Sequence, residues 1–157
     1  MLHETFLPDR DNTFAAFDYT PDGKVFPKAA LSASDAQIAA DTLALTGLDK
    51  PLSEVLDSNG EIVAIDRVGQ RMEAWIKAQD SLAQLSSCPT NTVRRLIAAL
   101  AVESGYFSVW MKVFEGDVAT RALLITSFRG TEAACFDAQT QPRTPRPQNG
   151  LAHCGKI

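Results

Sequence analysis

The side chains best suited to chemistry are two histidines, His3 and His153, and three cysteines, Cys88, Cys135 and Cys154. Structural zinc takes four such ligands, usually arranged as close pairs of the Cys-x-x-Cys kind. The one close pair here, His153-Cys154, is adjacent, and Cys135 stands eighteen residues before His153, so the spacing argues against a zinc centre. Three cysteines are also too few and too uneven for a disulfide framework, which leaves a Cys135 to Cys154 staple as an open pairing. Nucleophilic catalysis needs a thiolate lowered by a nearby base or a helix N-terminus. Cys88 stands before Pro89 at a helix start, but Cys-Pro is equally ordinary helix punctuation. No catalytic residue, metal or cofactor is expected.

Other polar runs have structural readings that compete with chemistry. Asp9-Arg10-Asp11-Asn12-Thr13 and Asp57-Ser58-Asn59-Gly60-Glu61 alternate oxygen ligands as calcium loops do, yet neither completes the ligand series, and both are read as turns. Arg94-Arg95 and the tail's Arg143, Arg146 and Lys156 can meet phosphate. From Gly130 onward, however, these three tail cations face Glu132 and Asp137, a formal balance of +1, too small for a nucleic-acid arm. Carboxylates on a protein partner suit the planar guanidinium better. Pro142-x-x-Pro145 meets only the minimal pattern for polyproline recognition. Trp75, Trp110, Phe107, Phe114 and Phe128 fall where helices would bury them, so they are read as core.

The elements that position these residues follow from periodicity. Phe14 to Tyr19, a Thr20-Pro21-Asp22-Gly23 turn and Lys24-Val25-Phe26 form a β-hairpin signal, with Pro and Gly supplying the turn's φ angles. Ser34 to Gln37 fits a capping box opening a helix to Thr46, stopped by Gly47. Pro51 with Leu52, Val55 and Leu56 suggests a short second helix ending at Asp57-Ser58-Asn59-Gly60. Ile62, Ile65, Val68, Met72, Trp75, Leu82 and Leu85 recur mainly at three- and four-residue steps, predicting a long helix from about Glu61 to Leu85. Val93, Leu96, Ile97 and Leu100 mark a fourth helix closed by Gly105, and Asp117 caps a further one over 118–128. Residues 106–114 alternate like a strand and are apolar enough for a buried helix.

The predicted fold is mainly α: a small single-domain helical bundle with an N-terminal β-hairpin and extended N- and C-terminal arms. Its expected divisions are residues 1–33 for arm and hairpin, 34–129 for the helical core and 130–157 for a Pro-containing arm. At 157 residues, 45% hydrophobic and 22% charged, the chain can bury one core. Glu103, Lys112, Glu115, Asp117 and Arg121 interrupt the apolar stretches far short of a membrane span, and the first ten residues lack the regions of a secretory signal. A net charge of −4 opposes nucleic-acid binding.

Ordering an arm costs conformational entropy, so arms imply compensating contacts. The expected function is therefore non-enzymatic assembly. The arms would dock onto neighbouring protein subunits, either other proteins or copies of the chain itself, through Arg143, Pro145, Arg146, Pro147 and Ile157. The expected setting is a bacteriophage virion, in its tail, neck or baseplate, with synthesis in the bacterial cytoplasm. A small soluble inhibitor or immunity-type protein is the alternative, and a small enzyme using the Cys/His set the second alternative.

Overall fold

The computed structural model describes residues 5–7 and 11–144. The expected extended arms fall largely on residues outside that range. The chain is mainly helical, as the periodicity predicts, with a small antiparallel sheet near its N-terminus. In order, the elements are α1 (Thr13–Ala16), β1 (Phe17–Tyr19), β2 (Val25–Pro27), α2 (Ala33–Thr46), β3 (Ser53–Leu56), β4 (Ile62–Ile65), α3 (Arg67–Ser87), α4 (Asn91–Ser104), α5 (Phe107–Val113) and α6 (Val118–Ser127). A 3-10 turn, Ala133–Cys135, follows.

Most helices begin and end where side chains can satisfy their orphan backbone groups. Ser32, rather than the expected Ser34, caps α2 by accepting the Asp35 N–H at 3.1 Å, and Gly47 closes it in the left-handed region at φ 63°. Asp66 caps α3 through the Gly69 N–H at 2.7 Å, and Thr90 caps α4 through the Val93 N–H at 3.2 Å. Asp117 caps α6 as expected, accepting the Thr120 N–H at 2.8 Å. It also meets Arg94 of α4 at 3.1 Å, so that guanidinium joins two helices within the chain. Residues 107–113 resolve as helix, and Val109, Trp110 and Met111 are buried in succession, without the alternation of a half-exposed strand.

The main core lies where α3, α4, α5 and α6 pack together, α4 chiefly on α6 and α3 on α5. Trp110, Met111, Phe114 and Leu124 are completely buried there, with Trp110 and Phe114 stacked 6.2 Å apart. Trp75 is buried beside Ala74 and Val109, in keeping with the predicted stripe on α3. A second cluster, built on Phe17, Val25, Ala39 and Leu43, fixes the β1–β2 hairpin against α2. That hairpin is tied to α3 by Arg71, whose Nε donates to the Gly23 carbonyl at 2.7 Å while another guanidinium nitrogen donates to the Leu48 carbonyl at 2.5 Å.

One predicted element needs correction, and packing extends past one predicted boundary. Residues 51–65 are not the end of one helix and the start of another but a second β-hairpin, and α3 begins only at Arg67. The spacing of Leu52, Val55, Leu56, Ile62 and Ile65 satisfies a helical template, but Asp57-Ser58-Asn59-Gly60 closes as a hairpin turn. The boundary at Gly130 also does not coincide with a break in packing. Cys135 and Phe136 are buried in the main core, the ring of Phe136 lying 6.2 Å from Phe14 and 6.1 Å from Phe107. A bridge between Phe136 and Pro142 folds this segment back on itself.

Candidate functional site

The β3–β4 hairpin is the part of the fold whose construction is left unfinished by the chain itself. Its turn is well made. The Asp57 N–H donates to the Glu61 carbonyl at 2.9 Å, and the Asp57 carboxylate accepts the N–H groups of Asn59 and Glu61 at 2.8 and 2.9 Å. These bonds, led by the one from Glu61, hold the Asp57 carboxyl below its ordinary pKa. Gly60 takes φ 82°, which a side chain would oppose. With Oδ1 accepting both N–H groups, Asp57 reads as a turn residue. The strands pair antiparallel, Ser53 with Ile65, Glu54 with Ala64, Val55 with Val63 and Leu56 with Ile62.

Among the described residues this hairpin supplies nothing to the buried core clusters. Successive strand residues point to opposite faces, yet Ile62 is 68% exposed and Val63 43%, so apolar side chains meet solvent on both sides. Leu56, opposite Ile62, is 70% exposed, and Leu52 at the hairpin's foot is 58% exposed. The extensive contacts of β3 and β4 are with each other, and as a sheet of two strands both outer edges keep unpaired backbone groups. Isolated two-stranded hairpins are marginal in water. Electrostatics marks the segment further. Residues 51–66 contain Glu54, Asp57, Glu61 and Asp66 and no Lys, Arg or His, so they carry the whole of the chain's net charge of −4.

The residues singled out from the sequence are not gathered into one site. Arg143 is exposed, but its Nε donates to the Phe136 carbonyl at 3.0 Å and its N–H to the Cys135 carbonyl at 2.7 Å, so its first role is to pin the segment behind α6. Pro145, Arg146, Pro147 and Ile157 lie outside the described residues, as do His3, His153 and Cys154. Cys88 is an exposed free thiol closing α3, and Cys135 is a free thiol buried in the core. Among the described residues no group of three or more His, Cys, Asp or Glu side chains could hold a metal ion. No described helix is long and apolar enough to cross a membrane. The sequence signal for the hairpin lies in Asn59-Gly60 ahead of the β-branched run Ile62-Val63-Ala64-Ile65, and a helical spacing competes with it. No protein-family model, curated protein or solved structure matches this chain.

Proposed function

We propose that the chain is a non-enzymatic assembly protein that docks onto a neighbouring protein subunit through its β3–β4 hairpin. The observation that carries this reading is the exposure of Leu52, Leu56, Ile62 and Val63 on a hairpin that the described residues leave uncovered and that bears four carboxylates. Burying a Leu, Ile or Val side chain is worth roughly 1.5–3 kcal/mol when complete. A partner covering Leu52, Leu56, Ile62 and Val63 would therefore gain enough to offset a substantial part of the cost of association. The open strand edges add the option of main-chain pairing with an extended partner segment.

Charge selects the partner's chemistry. Two copies of a hairpin bearing four carboxylates repel one another, which favours a different subunit with an apolar groove and a basic rim over a second copy of this chain. The tail residues Arg143, Pro145, Arg146, Pro147 and Ile157 would add contacts to the same assembly. The narrower proposal, a bacteriophage tail, neck or baseplate component, extends this reading and is checked by finding the chain in purified virions at a fixed copy number. The same acidic hairpin also supports the alternative of a small inhibitor covering a basic surface. That alternative expects a discrete soluble complex with one target.

The test is the double variant Leu56→Asp, Ile62→Asp. It is expected to keep the helical circular dichroism and melting temperature of the native chain while losing incorporation into its assembly. Normal incorporation would overturn the proposal. So would a melting temperature lowered as far as by a core truncation, because the hairpin would then pack on its own chain.

A further inference from the structure

A cavity of about 160 Å³ opens between α1, β1, α5 and α6, and its wall is unusually rich in cations for its size. Lys28, Lys112 and Arg121 line it together with Asp18, Glu115 and the ring of Phe14. Lys112 takes both carboxylates, with Nζ 3.2 Å from Asp18 and 3.3 Å from Glu115. Among the described residues, Lys28 and Arg121 are left without a carboxylate at ion-pair distance. Both lie over one ring, the Lys28 ammonium 4.7 Å and the Arg121 guanidinium carbon 5.7 Å from the centroid of Phe14.

Arg121 is the sharper anomaly. It is 1% exposed, it donates to the Thr140 carbonyl at 2.8 Å, and its buried Nε–H finds no acceptor among the described residues. A buried charge is normally paired, and an unsatisfied buried donor costs about 1–3 kcal/mol. Thr140, which supplies the one acceptor, itself sits at φ 62°, a region that β-branched residues rarely occupy. Burial also lowers the pKa of Lys28, and the neighbouring Lys112 and Arg121 act in the same direction while Asp18 and Glu115 oppose it. Three cations against two carboxylates leave the wall with one positive charge in excess, and that excess, together with the idle donor of Arg121, is complementary to an anion.

We propose that this cavity binds a small oxyanion, phosphate or a low-molecular-weight carboxylate, held between the Lys28 ammonium and the Arg121 guanidinium. The volume falls below the roughly 300–1,000 Å³ of pockets for drug-sized ligands, which limits the ligand to a small one. Guanidinium presents donors in a planar fork that matches two oxygens of a carboxylate or phosphate. The Phe14 ring closes one wall and strengthens the cations' interactions by excluding water. The hairpin contributes nothing to this wall, so the proposal stands or falls independently of the docking surface.

Met111 also lines the cavity, whereas Met72 lies on α3 with its side chain partly exposed, so methyl-labelled methionine gives an internal probe and an internal control. The full chain is titrated with inorganic phosphate and, separately, with acetate and succinate, at constant ionic strength set by chloride. The expected result is a saturable shift of the Met111 methyl resonance with Met72 unchanged. Lys28→Gln, at a half-buried position that should leave folding intact, is expected to weaken binding at least about tenfold, the loss of one charge-assisted hydrogen bond. The exposed Lys77→Gln should bind as the native chain does. A response to phosphate alone, or to the carboxylates alone, assigns the ligand class. No saturable Met111 response to any of them, or equal affinity in Lys28→Gln, overturns the proposal and leaves Arg121 as an anchor for the Thr140 loop.

Discussion

Truncating Phe136 to alanine tests whether the segment behind α6 belongs to the core. The side chain is 8% exposed and packs edge-on or tilted against Phe14 and Phe107. The variant keeps the carbonyl that accepts Arg143, so the loss is confined to packing. Removing a buried phenylalanine ring costs about 3–5 kcal/mol, a large share of the roughly 5–15 kcal/mol that stabilises a domain. At about 2–4 °C per kcal/mol for a chain of this size, the melting temperature should fall by roughly 6–20 °C. The companion variant Leu56→Ala removes a side chain that is 70% exposed. It should stay within about 0.5 kcal/mol of the native chain. Calorimetry and urea unfolding, with the urea slope unchanged in both variants, give the comparison. If Phe136→Ala melts together with Leu56→Ala and the native chain, the segment after Gly130 is an appendage and the core ends at α6.

Gly23→Ala should destabilise the chain by more than about 1 kcal/mol in urea, because the residue sits at φ 74° and a Cβ there would fall 2.4 Å from the Val68 carbonyl oxygen. Gly60→Ala, at φ 82° with nothing near its Cβ, should cost less, and the reverse order would refute the docking of the first hairpin turn on α3. Asp117 titrates below its ordinary range in the fold. Burial opposes this shift, but the Arg94 guanidinium and the Thr120 N–H outweigh it. A depressed folded pKa gives stability that is full above the unfolded value near about pH 4 and lost as the pH falls through the folded value. Asp117→Asn should therefore be less stable by about 1 kcal/mol at about pH 6, with the gap closing in acid. A gap that persists at low pH would place the effect in something other than charge.

The helices were legible wherever their signals were local. Gly47, Gly105 and Asp117 act as the termini that their types announce, and the burial of Trp75, Trp110 and Phe114 follows from apolar spacing alone. The second hairpin was hidden because five apolar residues across 52–65 satisfy two periodicities, and only the turn geometry at Asp57 and Gly60 separates them. Cys135 and Phe136 form too short an apolar pair to show any period, and Phe136 is buried by contacts distant in sequence, with Phe107 and Phe14. The same holds for the cation pair at Phe14. Lys28 and Arg121 are ninety-three residues apart in sequence, and no spacing rule brings them to one ring.

Asn12 gives the fold an order of completion. Its side-chain amide donates to the Cys135 and Arg143 carbonyls, each at 3.1 Å, across separations of 123 and 131 residues. Phe14, two residues further on, meets Phe136 in the same region. During synthesis the N-terminal segment emerges first, yet its partners here are nearly the last described residues to appear. The usual sequence, in which the front of a chain settles before the back, is thus reversed at this seam. The helices rest on contacts of shorter range, while the 131-residue separation of Asn12 and Arg143 carries a larger entropic cost of closure. Until Phe136 joins it, Phe14 has Phe107 against its ring but lacks part of its cover, and in that interval a nascent chain is open to chaperones and to mispairing.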